Sequence, residues 1–590
     1  MRQQTKNDPA LAAALRLHHA GKLNEAAAAY TKLLKLRPMH LAALTNLGII
    51  HRKRGEFEMA RSCYERALRS DPGHGVTWTN LTNLYLTMGL KKEAVEAGRQ
   101  AVKTAPGLAN AFDNYGYALF LALDLVEAER MLLQATKLDP RSGNAWNNLG
   151  QVYQRQGRLA EAAEAYRHAV ALDPTLAMAF SNLLFCMHFG SQWRREDIFK
   201  AHVEWARRFE TPLLAPPPLV SKLSLFEGRR LRVAFISPDL FNHPVAVFLK
   251  PLIGNWPHDR FELGFFASVA KQDDTTEWFK QRADFWCDIY SLDDRAAAQE
   301  VVKHKVDILI DLTGHTGGGR LLVLAHRPAP IQMNWLGYFD TLGMQSVNYI
   351  VADPVCVPSE LEHLFTEKVL RLPDGFVCFE PPADAPEPGP LPALANGFIT
   401  FGSQNQLAKV TDEVLSLWCQ LLHRVPNSRL LFQAKPFNDA ATRSRYATAF
   451  EHQGINSGRI DFLPASDQCG ILRNYQRVDI ALDPFPCAGG TTTCEALWMG
   501  VPVVTLLGDR FGGRHSASHV NNVGLLNLIA TDAEQYLQLA QSLGSDLPAL
   551  AQLRQGLRIK MAASPLCDGP RFANHFAEML RVALGANLEA

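Results

Sequence analysis

The sequence predicts an α-solenoid of helix hairpins followed by an α/β half built as two lobes. Three observations carry that prediction. Prolines recur at a fixed period across the first third of the chain. Beyond Pro216, apolar runs of strand length alternate with helical stretches. A second proline-rich stretch, 381–396, then splits the alternation in two.

The period is 34 residues: Pro38, Pro72, Pro106, Pro140 and Pro174. Ala26, Ala60, Ala94, Ala128 and Ala162 keep it, and so do Gly21, Gly55, Gly89 and Gly157, with Leu123 the one break. Residues 143–176 show the full pattern: Trp146, Leu149, Gly150, Tyr153, Ala162, Tyr166, Ala169 and Pro174. This resembles the tetratricopeptide repeat. Each unit reads as a hairpin in which Gly ends the first helix, Ala allows close approach and Pro stops the second. One hairpin cannot bury its apolar face, so the units are expected to stack into a superhelix over residues 7–210, five full repeats and a degenerate sixth pair. Asn46, Asn80, Asn114, Asn148 and Asn182 share the period on the first-helix face. Their amides suit an extended peptide backbone lying in the groove, or hydrogen bonds between repeats.

Residues 211–228 contain Pro216-Pro217-Pro218 and read as a stiff joint. A first lobe is expected over 229–380, with strands at 233–236, 263–267, 307–312 and 331–335. The linker 381–396 leads to a second lobe over 397–568, with strands at 398–401, 430–433, 460–463, 480–482 and 501–506. A last helix within 569–590 is expected to cross back and brace the first lobe. In open α/β sheets, ligands sit beyond the carboxyl ends of the strands.

Composition narrows the function. The 590 residues carry 60 Lys and Arg against 59 Asp and Glu, net +1, so no field favours nucleic acid or a membrane surface. Ten Cys form no CxxC pair or zinc-spaced cluster and read as reduced thiols. No metal and no other cofactor is expected. The polar N-terminus and the lack of a long apolar stretch predict a cytoplasmic protein without a transmembrane segment.

Three segments carry chemistry. In 483–495, a strand ends near Asp483 and a helix begins near Thr492. Gly489 and Gly490 let backbone N–H groups approach an anion, and the helix start adds unpaired donors. The bland reading is a capping box from Thr492 to Glu495. In 401–409, a strand–loop–helix pattern brings Lys409 to the same edge, where its charge can neutralise a leaving diphosphate. In the first lobe, His243 follows the strand at 233, and Asp311 and His315 follow the strand at 307. A neutral His243 can accept a hydroxyl proton or position an acceptor. Gly337 permits close approach of a sugar, or forms a turn.

In order along the chain, His243-Pro244, Arg327-Pro-Ala-Pro-Ile-Gln, Trp335-Leu-Gly-Tyr, Asn405-Gln-Leu-Ala-Lys, Arg424-Val-Pro-Asn-Ser-Arg and Gly490-Thr-Thr-Thr-Cys-Glu resemble the O-GlcNAc transferase and Spindly family of protein glycosyltransferases. The resemblance implies the GT-B fold, two Rossmann-like lobes, with metal-independent, inverting transfer. It implies that Lys409 contacts the donor diphosphate with Gln406 beside it, that Thr491 and Thr492 donate to the phosphates, and that Glu495 holds the ribose. Ala408, Gly490 and Asn474 depart from the animal enzymes, and the Gln-Leu-Ala-Lys and Gly-Thr-Thr-Thr-Cys-Glu forms resemble the Spindly branch, which includes plant enzymes using GDP-fucose. The expected reaction is transfer of N-acetylglucosamine from UDP-GlcNAc to Ser or Thr of protein acceptors held in the repeat groove. A GDP-fucose donor, or a polysaccharide or lipid acceptor, is the alternative.

Overall fold

The computed structural model describes residues 8–216, 229–464 and 466–589. Residues 217–228 of the expected joint, with Pro217 and Pro218, lie outside the described residues, as do Asn7 and Ala590 at the expected outer bounds. The chain divides into two compact units between Val152 and Tyr153.

The first unit is a run of helix pairs: Pro9–His19 with Leu23–Leu36, Leu41–Lys53 with Phe57–Ser70, Gly75–Thr87 with Lys91–Thr104, and Ala109–Leu121 with Leu125–Leu138. Ala26, Ala60, Ala94 and Ala128 are wholly buried, and a larger side chain there would push the helices apart. Each second helix ends two residues before its proline, which offers no N–H to continue the ladder. Between the paired helices the backbone turns left-handed, with φ of 73°, 74° and 69° at Gly21, Gly55 and Gly89. Leu123 takes the same conformation, φ 66°, so the residue that broke the glycine row did not break the turn. A Cβ in that region is strained. Leu123→Gly is expected to stabilise this unit by about 0.5–1 kcal/mol, read as a higher Tm.

The second unit begins with repeat-type helices. Leu159–Leu172, Ala177–Met187 and Arg195–Phe209 share one core with a sheet: Tyr166, Phe180 and Trp205 pack with Ile236, Phe266, Leu324 and Tyr338. The boundary expected at 210 is therefore not where the compact units part. An end repeat must cover its outward apolar face, and here the last repeats spend theirs on the α/β half.

The first lobe holds seven strands: β1 (Leu231–Ser237), β2 (Phe261–Ala267), β3 (Phe285–Asp288), β4 (Ile308–Asp311), β5 (Ile331–Asn334), β6 (Tyr349–Ala352) and β7 (Lys368–Arg371). All are parallel, in the order β3-β2-β1-β4-β5-β6-β7. The second holds β8 (Ile399–Ser403), β9 (Ser428–Gln433), β10 (Ile460–Leu463), β11 (Ile480–Leu482), β12 (Val503–Leu506) and β13 (Ile529–Ala530), parallel in the order β10-β9-β8-β11-β12-β13. These are the two Rossmann-like lobes the sequence predicts. In both, the first strand is central and the fourth lies on its other side. In sheets of this order, ligands bind at the switch point beyond the carboxyl ends of those two strands.

The residues of the expected linker are tied to the second lobe. Pro392–Asn396 is a short helix, and Ala393 N–H donates to Asp479 Oδ1 at 2.9 Å. The guanidinium of Arg554 donates to Gly389 O at 2.8 Å. The last helix, Gly569–Glu589, does cross back. Phe572 and Phe576 pack on Trp335 at centroid distances of 6.1 and 4.8 Å, and Arg571 pairs with Asp374 at 2.8 Å.

Candidate active site

At the switch point of the second lobe, the loops after β8 and β11 stand side by side. After β8, the short 3₁₀ turn Leu407–Lys409 brings the Lys409 amine onto Ala488 O in the other loop. After β11, Asp483 is buried and folds its own loop: Oδ1 accepts from Gly489 N–H at 2.7 Å and Oδ2 from the Thr505 hydroxyl at 2.7 Å. Burial raises the Asp483 carboxyl above the usual range, and the nearby Lys409 opposes this. A Cβ on Gly489 would lie 2.4 Å from Thr493 Oγ1, whereas one on Gly490 would meet nothing. Gly489 thus serves the packing of the loop, and Gly490 faces open space.

Gly490 is the N-cap of helix Thr491–Trp498, and no side chain caps that end. The capping box of the bland reading is absent: Thr492 lies inside the helix rather than at its cap, and its Oγ1 donates to Asn405 Oδ1 at 3.1 Å. The first-turn N–H groups and the helix dipole are thereby left to an anion. Glu495 is buried one turn on. Its carboxyl is pushed up to about 7 by burial, opposed by a hydrogen bond from Gln468 Nε2 at 2.5 Å. Gln406 is exposed just ahead of Lys409. Asn405, Gln404, Tyr475, Asp483 and Thr492 line a recess between the loops.

At the switch point of the first lobe, His243 is the N-cap of helix Pro244–Gly254. Its Nδ1 accepts from Val245 N–H at 3.4 Å and lies 3.7 Å from Asp239 Oδ1. Burial, with the charge of Lys435 from the turn after β9 in the other lobe, pushes its pKa down to about 4. Lys435 thus comes from the second lobe to within charge range of His243, which is neutral at neutral pH. The contact to Val245 N–H puts the ring proton on Nε2. Asp239, which sequence reasoning passed over, is pushed up to about 7 by burial and by Asp311. Asp311 is itself pushed up to about 7 by burial, against bonds from Gly314 and Thr313 N–H at 2.6 and 3.3 Å.

Two expected site residues lie elsewhere. His315 is buried against Trp205 and Tyr338, with Nδ1 on Ser181 Oγ at 3.0 Å and Nε2 on Leu342 O at 3.2 Å. Nδ1 fastens helix Ala177–Met187 to the lobe and Nε2 ties the loop of His315 to that of Leu342, so both nitrogens are taken by structural partners. Gly337 has no Cβ because Leu312 O would stand 2.0 Å from it. It allows backbone to meet backbone rather than a sugar to approach.

The five asparagines are half-buried. Asn46 Nδ2 donates to Ala42 O at 2.8 Å in its own helix. Asn114 and Asn148 reach the preceding repeat, Asn114 to Thr79 O at 3.3 Å and Asn148 to Asp113 Oδ1 at 2.8 Å. In this state these donors serve the array, the second of the two readings open from sequence. Asp113 is pushed up to about 6 by burial, opposed by Asn148. The folded state therefore binds the extra proton between about pH 4 and 6, and stability falls as pH rises through that window. Asn148→Ala is expected to cost about 1–2 kcal/mol at pH 8 and less at pH 4, checked by thermal unfolding at both.

A parallel six-stranded lobe with a cation and a bare helix start at its switch point, next to a seven-stranded parallel lobe, is an α/β architecture with a place for an anionic ligand. Residues 210–380 and 391–576 match the model of glycosyl transferase family 41, so the chain belongs to that family. Residues 6–176 match the model described as the cilia and flagella-associated protein 70 C-terminal domain. The chain is 39% identical over 403 residues to the probable UDP-N-acetylglucosamine–peptide N-acetylglucosaminyltransferase SPINDLY of Arabidopsis thaliana, covering 66% of this chain and 43% of that one. It is 30% identical over 359 residues to the Arabidopsis thaliana protein SEC of the same description, covering 59% and 36%. The chain thus spans less than half the length of these relatives. A solved lysine-to-methionine mutant of the Thermobaculum terrenum O-GlcNAc transferase superposes with a TM-score of 0.83 at 31% identity, covering 87% of this chain and 97% of that one. Among the described residues, no helix is long and apolar enough to cross a membrane.

Proposed function

We propose that this chain transfers N-acetylglucosamine from UDP-GlcNAc to Ser or Thr hydroxyls of proteins, inverting the anomeric carbon without help from a metal ion. The carrying observation is a pair of switch points, Lys409 and the helix start at Gly490 in the second lobe and His243 and Asp239 in the first, with Lys435 of the second lobe close enough to act on His243. The hydroxyl oxygen attacks the anomeric carbon as the bond to the diphosphate breaks. Lys409 and the N–H groups of Thr491 and Thr492 take up the charge growing on the leaving group. His243, with its proton on Nε2, orients the hydroxyl. Asp239, held near neutral pH, accepts the proton. Glu495 and Gln406 fit the ribose and the diphosphate approach. The repeat groove presents the acceptor and lowers the entropic cost of encounter.

This reading draws support from the activities for which the relatives and the bacterial neighbour are named. The second reading, GDP-fucose as donor, rests on the resemblance of residues 405–409 and 490–495 to the Spindly branch. A donor panel with the full chain and a cell lysate, with and without EDTA, decides by intact mass. Gain of one N-acetylhexosamine, unaffected by EDTA, supports the proposal. Gain of a deoxyhexose selects the second reading, and no transfer from any nucleotide sugar overturns both.

A further inference from the structure

On the first lobe, away from the switch point, Cys287, Glu300 and His304 bring a thiol, a carboxylate and an imidazole to one place, their ligand atoms all within 4.8 Å of one another. The sequence shows no zinc spacing because the three residues come from two elements. Cys287 lies on edge strand β3, and Glu300 and His304 stand four apart on and just beyond helix Asp294–Lys303. That spacing puts the latter two on one helix face. Alternation along β3 puts Cys287 on the same side of the sheet as Phe285. The Phe285 ring stacks on His304 at 5.0 Å. Phe266 meets the same imidazole edge-on at 5.4 Å, so the ring is held from two sides. His304 Nδ1 donates to Glu300 O at 2.8 Å, which leaves a lone pair on Nε2. A ring N–H bound to a backbone carbonyl is the usual support of a metal-ligating histidine.

We infer that Cys287, Glu300 and His304 form a zinc site that is separate from the transfer chemistry and pins the edge strand to its helix. Thiolate, imidazole and carboxylate in a set of three suit a borderline-soft ion with tetrahedral habits, the fourth position going to water. Bonds of about 2.0–2.3 Å place neighbouring ligand atoms roughly 3.5 Å apart, so rotation of side chains closes the set. The Lys303 amine, now paired with Glu300 at 2.5 Å, must swing away. It is exposed and free to do so. All three ligands are half-buried, so the site has an entry path.

The test uses the full chain, stripped with a chelator and dialysed. Zn²⁺ is titrated against a chromophoric chelator, and Co²⁺ reports thiolate ligation through its charge-transfer band. One equivalent is expected. Cys287→Ser and His304→Ala should each weaken binding more than about tenfold and remove the band. Cys469→Ser, a half-exposed thiol elsewhere, should change neither, and Lys303→Met should bind several-fold more tightly. Glu300→Gln serves where Cys287→Ser proves unstable, and should lose affinity while its Tm without metal stays that of the parent chain. Stoichiometry and spectrum unchanged in both Cys287→Ser and His304→Ala would overturn the site. Donor turnover should be the same in all these variants, so the outcome stands apart from that of the transferase reading.

Discussion

Lys409→Met should lower kcat by about 10³-fold while leaving the fold intact. The amine bridges the two loops of the switch point through Ala488 O, so it sits where charge appears as the sugar–phosphate bond breaks. The helix start at Gly490 supplies only partial charge. A preorganised full charge in a site shielded from water stabilises the transition state far more than the same charge in solution. Methionine keeps the length and apolar stem of the side chain, so the 3₁₀ turn and its packing survive. The loss should fall on kcat more than on donor affinity, since the diphosphate of the bound donor is still held by the first-turn N–H groups. Single-turnover kinetics with saturating donor, beside Tm, make the check. A variant within tenfold of the parent would remove Lys409 from the chemistry.

The parts legible from sequence are those where a residue type solves a local problem. The period of 34 was readable because every hairpin needs the same small Ala and the same Pro. Lys409, Gly490 and Thr492 were readable because each lies in a strand-to-helix connection or the first turn after it, and parallel sheets bind ligands there. Strand order was not readable. That β8 neighbours β11 is fixed by pairing between residues 79 apart, Phe401 with Ile480. The strands β3, β6, β7 and β13 were missed: each has two to four residues, and β3 and β7 are edges mixing charge with apolar residues. His315 and Gly337 were misassigned because a loop sequence does not state which way it points. His315 turned toward the repeat-derived helices, and Gly337 toward the backbone of Leu312. Asp239 and Lys435 stayed hidden for a related reason, since each gains its role from a partner distant in the chain. The break at Val152 was hidden likewise: helices with repeat signatures joined the core of the sheet.

Asp239→Asn should reduce kcat/KM by about 10²–10³ and abolish the acid limb that the parent chain shows near pH 7. The groups facing this point are His243, Asp311 and Asp239 itself in the first lobe and Lys435 from the second. The two carboxyls are each pushed up to about 7 and share a buried setting, so they titrate as a pair. A base of that kind is protonated below the limb, and activity therefore rises as pH climbs through about 7. His243 has the opposite shift. Its folded pKa, pushed down to about 4, lies below its ordinary value, so it stays neutral across the working range and adds no limb of its own. Between its folded and unfolded pKa the unfolded chain binds the extra proton, so this residue costs stability progressively as pH falls from about 6.5 toward 4. Lys435→Met removes one of the two causes of the shift and should raise the His243 pKa toward 6.5. Histidine-selective NMR reads that change directly, and the limb at 7 should stay in place. His243→Gln, which keeps an N–H donor, should retain more activity than His243→Ala if the ring positions the hydroxyl. A limb that persists in Asp239→Asn, together with His243 titrating between 6 and 7 in the parent chain, would return the base to His243 and reduce Asp239 to a support for its loop.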